Sequence, residues 1–198
     1  SISKPNQKDG ENVTFFVPDM YFSSQLTLSN FTKQKINGVE AHKITLPNST
    51  LANKTNNPNN AKYYSERWNS ALNLTKVRYV PVFLTKQYFL DADWEIVTAA
   101  ELYKDEGQTQ RIWPKREFDL TFYIEPTTGS PLKADQRMQM NVYFEADELF
   151  PNMRPTFVPL MYFYRGMELP ANTTDTLFRP LKLGFAVRDY GVYIFLAL

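Results

Sequence analysis

The chain has no cysteine among its 198 residues. That absence excludes disulfides, thiolate catalysis and sulfur-ligated metal. It also sets the sequence apart from small secreted modules held by bridges, although a core of about this size folds without them. Histidine is nearly as scarce. His42 is the only one, whereas zinc sites draw on several His or Cys side chains. No G-x-S-x-G elbow accompanies it, so "EAHKI" reads as a structural or surface position. Glycine is low at seven residues, with no GxGxxG and no GxxxxGK[ST], which leaves nucleotide cradling without a basis.

Neither charge sign dominates. Lys and Arg number 22 against 21 acids, for a net charge of +1. The basic residues are interleaved with acids, as in "LYKDEGQTQRIWPKRE", and no basic stripe exists to hold nucleic acid. Long apolar runs are also missing. The most apolar stretch, "GVYIFLAL", is far short of the ~20 residues that span a bilayer. It reads as a final strand, so membrane attachment is expected only through an anchor outside this sequence. "SISKPNQKDGEN" is polar and carries no signal-peptide pattern.

What is present is a core and a surface rich in asparagine. Hydrophobic residues make up 43% and aromatics 15%, enough to bury a sizeable interior. Six N-x-T patterns occur, at Asn12, Asn30, Asn48, Asn53, Asn73 and Asn172, where chance placement gives roughly two. They are candidate glycosylation sites and favour an extracytoplasmic location: secreted, luminal, cell-surface or virion. The competing explanation is a polar, Asn-rich surface. Residues 1–11 look like a flexible lead-in to a single β-rich domain over 12–198. Within it, "PNSTLANKTNNPNN" (47–60) reads as a mobile loop of turn formers.

The hydrophobic pattern is mostly of period two. "EFDLTFYIE" places Phe118, Leu120, Phe122 and Ile124 on one face, and "RMQMNVYFE" does the same with Met138, Met140, Val142 and Phe144. "NVTFFVPDMYFSSQLTL" gives two short strands split by Pro18 and Asp19. "KVRYVPVFL", "YFLDADWEI" and "TFVPLMYFY" read as further strands. One short amphipathic helix is expected near 60–74, with Asn60 as its cap and Tyr64, Trp68, Ala71 and Leu72 along its apolar stripe. Short turns and no βαβ alternation point to an all-β fold, an antiparallel β-sandwich of jelly-roll-like form.

Three groups of residues are candidates for chemistry. Asp91, Asp93 and Glu95, spaced i, i+2 and i+4 on the expected strand, would project from one face with ~7 Å between neighbours. Carboxylates so placed could hold a hard cation such as Ca²⁺; no other cofactor is suggested. Taken as a pair, their separation suits glycosidase acids, which makes an enzyme the third reading. The plainer account is a solvated face whose charge is offset by Lys86, Lys104 or a nearby Arg. Dense aromatics in the second half nominate Phe157, Tyr162 and Tyr164 as partner-binding residues. "TFVPLMYFY" is apolar on both faces and must be covered on both.

These readings favour a non-enzymatic interaction or assembly domain outside the cytoplasm. It would be a virion capsid or spike subunit, or a cell-surface or luminal ectodomain, binding a protein partner or a second copy. The alternative is a β-barrel or sandwich for a lipid or glycan ligand, with Met138, Met140 and Met161 lining the cavity.

Overall fold

Asn37 and Gly38 take φ values of 48° and 77°, the left-handed pair that closes a two-residue hairpin with the natural strand twist. They join β3 (Thr32–Ile36) to β4 (Val39–Thr45). The computed structural model describes residues 12–17, 22–27, 32–61, 67–75, 79–104, 107, 110–180 and 183–184. The lead-in expected over 1–11 lies outside them. The two strands expected on either side of Pro18 and Asp19 are present as β1 (Asn12–Val17) and β2 (Phe22–Thr27), an antiparallel pair.

Among the described residues the main sheet has seven strands, all antiparallel. Its order is β3-β4-β7-β8-β6-β5, with β9 also on β8. Here β5 is Leu72–Asn73, β6 Phe83–Lys86, β7 Thr121–Ile124, β8 Pro131–Phe144 and β9 Thr156–Glu168. The architecture follows from the length of β8. One edge pairs with β7 near Asp135 and with β6 near Met140, while the other edge pairs with β9 over nearly its whole length. The fold class is therefore mostly antiparallel β, sandwich-like, with short helices.

The main core lies against one face of this sheet. Ile44, Leu51, Leu72, Leu84, Leu120, Phe122, Ile124 and Met138 form its largest cluster. The alternation read in "EFDLTFYIE" is realised here, since Leu120, Phe122 and Ile124 are all buried. A second cluster joins Trp68, Phe89, Ile96 and Phe157.

The helix does not fall where the sequence pattern puts it. Residues 62–66 of the expected 60–74 helix lie outside the described set. Around them, Pro58–Asn60 form a 3-10 turn, residues 67–71 are irregular, and Leu72–Asn73 are strand β5. Trp68, Ala71 and Leu72 are buried, but irregular chain and the start of β5 bury them. The short helix is instead α1 (Trp94–Ala100), within a stretch whose alternation suggests a strand. Ile96, Val97 and Ala100 pack on the second cluster; that i, i+1, i+4 spacing is a helical face, and it outweighs the alternation. A second helix covers 171–180.

The Asn-rich connector over 47–60 folds onto the sheet. Asn60 Nδ2 donates to the Thr50 and Ala52 carbonyls at 2.9 and 2.8 Å. Buried polar side chains are retained where they satisfy backbone groups in this way.

Candidate functional site

The long hairpin β8–β9 carries most of the exposed large apolar side chains among the described residues. A bulge falls between Met140 and Asn141, opposite Leu160. An extra residue in one strand reverses which face its later side chains take. Phe157 pairs with Tyr143, Tyr162 with Gln139 and Tyr164 with Arg137, so all three expected partner residues share one face despite their uneven spacing. Their environments differ. Phe157 is buried, edge-on to Trp68 and Phe83 at 5.9 and 5.2 Å. Tyr162 and Tyr164 are exposed.

The two tyrosines are held from below. Tyr162 lies 5.3 Å from Tyr88, whose ring meets Phe118 edge-on at 4.6 Å. Tyr164 Oη donates to Asp135 Oδ1 at 3.0 Å, and Arg137 sits 5.2 Å from its ring. Burial, then the nearby Tyr88 phenol, raises the Tyr162 pKa; the hydrogen bond to Asp135, then its charge, raises that of Tyr164. Gly166 makes room for this pose, because a Cβ there would meet Tyr164 Oη at 2.7 Å.

The opposite face carries Val158, Met161, Phe163 and Met167. It continues the main core face outward, with Met161 paired to Met140 and Phe163 to Met138. Met138 is buried, yet the four β9 side chains are each between 41% and 48% exposed. A strand open on both faces carries side chains that water solvates poorly. The sequence expectation of an apolar strand needing cover on both sides meets an open ledge here.

A buried ion cluster lies where β6 ends and β7 begins, along the middle of β8. Tyr88, Phe89 and Asp91 have left-handed φ of 54°, 59° and 64°, which folds the chain back after β6 so that Asp91 returns to Lys86. Lys86 Nζ donates to Asp91 at 2.6 Å, to Asp119 at 2.8 Å and to the Leu46 carbonyl at 3.1 Å. Arg116 closes the cluster from the solvent side, 2.7 Å from Asp91 and 3.4 Å from Asp119. Burial lowers the Arg116 pKa, but the hydrogen bond and charge of Asp91 together with Asp119 more than offset it, and the net shift is upward. Nearby, Tyr88 N–H donates to Gln139, and Asn141 donates to Thr85 at 3.0 Å.

This corrects the acid triplet. Asp91, Asp93 and Glu95 do not share a strand face: Asp91 lies in a turn, Asp93 precedes α1, and Glu95 is exposed in its first turn. Asp91 is occupied by Lys86 and Arg116, and Asp93 accepts from Asn69 N and Nδ2 at 2.8 and 3.1 Å. Among the described residues no group of three or more His, Cys, Asp or Glu is placed to hold an ion. Lys86 was legible as one of the compensating charges; Lys104 lies elsewhere, and Arg116 fills that part.

The sequons differ in setting. Asn48 is exposed beside Asp91, its amide nitrogen 2.9 Å from the carboxylate when oriented to donate. Asn172 is exposed on the 171–180 helix, and Asn73 is half-buried on β5. Asn53 is buried and accepts from Asn56 N at 3.1 Å. Asn12 lies on β1, and Asn30 lies outside the described residues.

One surface feature escaped the sequence reading. Trp94 and Trp113 stack with ring planes 5° apart and centroids 5.5 Å apart. Arg111 lies 4.4 Å from the Trp113 ring and donates to the Thr98 carbonyl at 2.8 Å. The two indoles are far apart in the chain, so no local period signals their meeting. No helix among the described residues is long and apolar enough to cross a membrane.

The sequence profile of the CD36 family matches residues 1–198. Scavenger receptor class B member 1 of Rattus norvegicus is 26% identical over 191 residues, covering 94% of this chain and 36% of the relative. Sensory neuron membrane protein 2 of Ostrinia furnacalis is 27% identical over 193 residues, covering 91% of this chain and 34% of the relative. The chain thus spans about a third of the length of these curated relatives.

Proposed function

The chain belongs to the CD36 family, and on that premise we propose that it forms part of the extracytoplasmic region of a cell-surface receptor. Its role is non-enzymatic binding. Membership favours the ectodomain reading, and the relatives give the virion reading no support. The ligand we assign to the β8–β9 hairpin is a lipid with an apolar chain.

The observation that carries this is the open ledge of Val158, Met161, Phe163 and Met167 beside the packed Met138 and Met140. Methionine adapts to an irregular hydrocarbon chain better than branched residues do, and Phe163 adds a broad apolar face. Each of these half-exposed side chains has about 1 kcal/mol still to gain on full burial. A glycan ligand would call instead for polar groups converging on an aromatic face, and this ledge offers none.

Fluorescence titration with a polyene fatty acid tests the assignment. Saturable binding is expected, weakened at least about tenfold in Met161→Ser/Phe163→Ser, since two such losses together approach 2 kcal/mol. Binding that survives the double substitution unchanged would remove the ledge as the site.

A further inference from the structure

The loop that closes the β8–β9 hairpin presents a second apolar feature, at the opposite end from the 171–180 helix. Pairing ends at Phe144 and Thr156, and every residue from 144 to 155 is exposed. Leu149 is 82% and Phe150 62% exposed. They are adjacent and project from a turn of fixed shape. Asp147 Oδ1 accepts from the backbone N–H groups of Leu149 and Phe150 at 2.9 and 2.7 Å, and Met153 N donates to the Phe150 carbonyl at 3.1 Å. The same loop carries three carboxylates, Glu145, Asp147 and Glu148, against one guanidinium, Arg154. Glu145 is partly answered by Arg67 at 3.6 Å; Glu148 stands beside the apolar pair.

We infer that this hairpin tip is a protein-docking element whose partner offers an apolar pocket with a cationic rim. A large side chain seated in a pocket supplies most of the energy of such contacts. The pre-ordered turn lowers the entropy lost on docking. The carboxylates choose the partner's charge: a basic rim is attracted and an acidic one repelled. They also argue against insertion into a bilayer, where Asp147 and Glu148 would be dragged from water beside Phe150. This surface is separate from the lipid ledge and does not depend on it.

The test uses the full chain and two synthetic peptides, one alternating Lys and Leu, the other alternating Glu and Leu, with phosphatidylcholine vesicles as a third probe. Binding of the Lys–Leu peptide is expected, weaker at high salt, with little binding of the Glu–Leu peptide. Leu149→Ser/Phe150→Ser should weaken it about thirtyfold, and Glu148→Lys should weaken it severalfold with the apolar pair intact. Both changes lie on solvent-exposed positions, so an unaltered melting temperature is expected and would show that the fold is kept. Met161→Ser/Phe163→Ser should leave peptide binding untouched, which separates this site from the ledge. Equal binding of the two peptides, or no change on removing Leu149 and Phe150, would overturn the inference. Phe150-dependent binding to vesicles without peptide binding would overturn it too, and assign the tip to a membrane surface instead.

Discussion

Replacing Lys86 with Met should cost the fold about 3–5 kcal/mol. The side chains of Lys86, Asp91 and Asp119 are 1%, 4% and 3% exposed. Lys86 Nζ serves both carboxylates and the Leu46 carbonyl. Methionine fills nearly the same volume, so the substitution removes charge and hydrogen bonds while opening little cavity. Among the described residues, Arg116 would then be the remaining cation beside the two buried carboxylates, and its side chain is 64% exposed and therefore screened by water. With a urea dependence of about 2 kcal/mol per molar for a chain of this size, the unfolding midpoint should fall by roughly 2 M. Thermal unfolding should drop by about 10 °C. The diagnostic comparison is Lys86→Met/Asp91→Asn/Asp119→Asn, which removes the stranded charges and should recover much of the loss. A single substitution that stays within about 1 kcal/mol of wild type would refute the burial argument. So would a triple variant no more stable than the single one, because the loss would then not come from uncompensated charge.

Two further outcomes follow from the hairpin and the sequons. Gly166→Ala should displace the Tyr164 ring and break its bond to Asp135, returning that phenol toward its ordinary pKa; absorbance titration of tyrosinate in the wild type and the variant reads this directly. The sign is fixed: a phenol raised in the folded state contributes stability below its unfolded pKa of about 10 and loses it as pH climbs through the folded value. The Glu168 hydrogen bond raises the Lys133 pKa against a smaller effect of burial, so it adds to the same alkaline loss. Glycopeptide mapping of protein from a secretory host should find sugar at Asn48 and Asn172 and little at Asn53, whose side chain is enclosed; full occupancy at Asn53 would contradict that placement.

The sheet was legible because its strands bury one face. Leu120, Phe122 and Ile124 alternate with less apolar neighbours, and that period survives packing. The pattern failed where both faces are buried or where a short helix intervenes. Gln139 and Asn141 read as the wet face of β8, yet both are fully buried, satisfied by Tyr88 N–H, Thr85 and each other. Polar residues can occupy an interior when their partners come from distant chain, and no local window shows that. The stretch around α1 misled for a related reason: Leu90, Ala92, Trp94 and Ile96 alternate, but the set that packs on the second cluster from this segment includes Ile96, Val97 and Ala100, at helical spacing. The acid triplet failed with it, since a carboxylate's role depends on which cation folds back to meet it.

The hairpin β8–β9 ties these observations together. Its buried half carries Gln139, which accepts from the Tyr88 N–H in the left-handed turn that brings Asp91 to Lys86, and Asn141, which donates to Thr85 on β6. Its outer half exposes the apolar ledge and, at its end, Leu149 and Phe150. A rigid inner strand with an open outer strand is a sound arrangement for binding, because contact surface is offered without loosening the core that positions it. The bulge at Met140 and Asn141 is the local device that makes this work. By shifting the facing of β9 by one residue, it lets Phe157 anchor under Trp68 while Tyr162 and Tyr164 stay on that face in solvent and Met161 and Phe163 continue the core side. Were Leu160 to pair with Met140 instead of bulging, the later half of β9 would turn over, with Tyr162 opposite Met138 and the ledge lost; deleting Leu160 removes the extra residue and should leave Met161 opposite Met140, Tyr162 opposite Gln139, and both faces as they are.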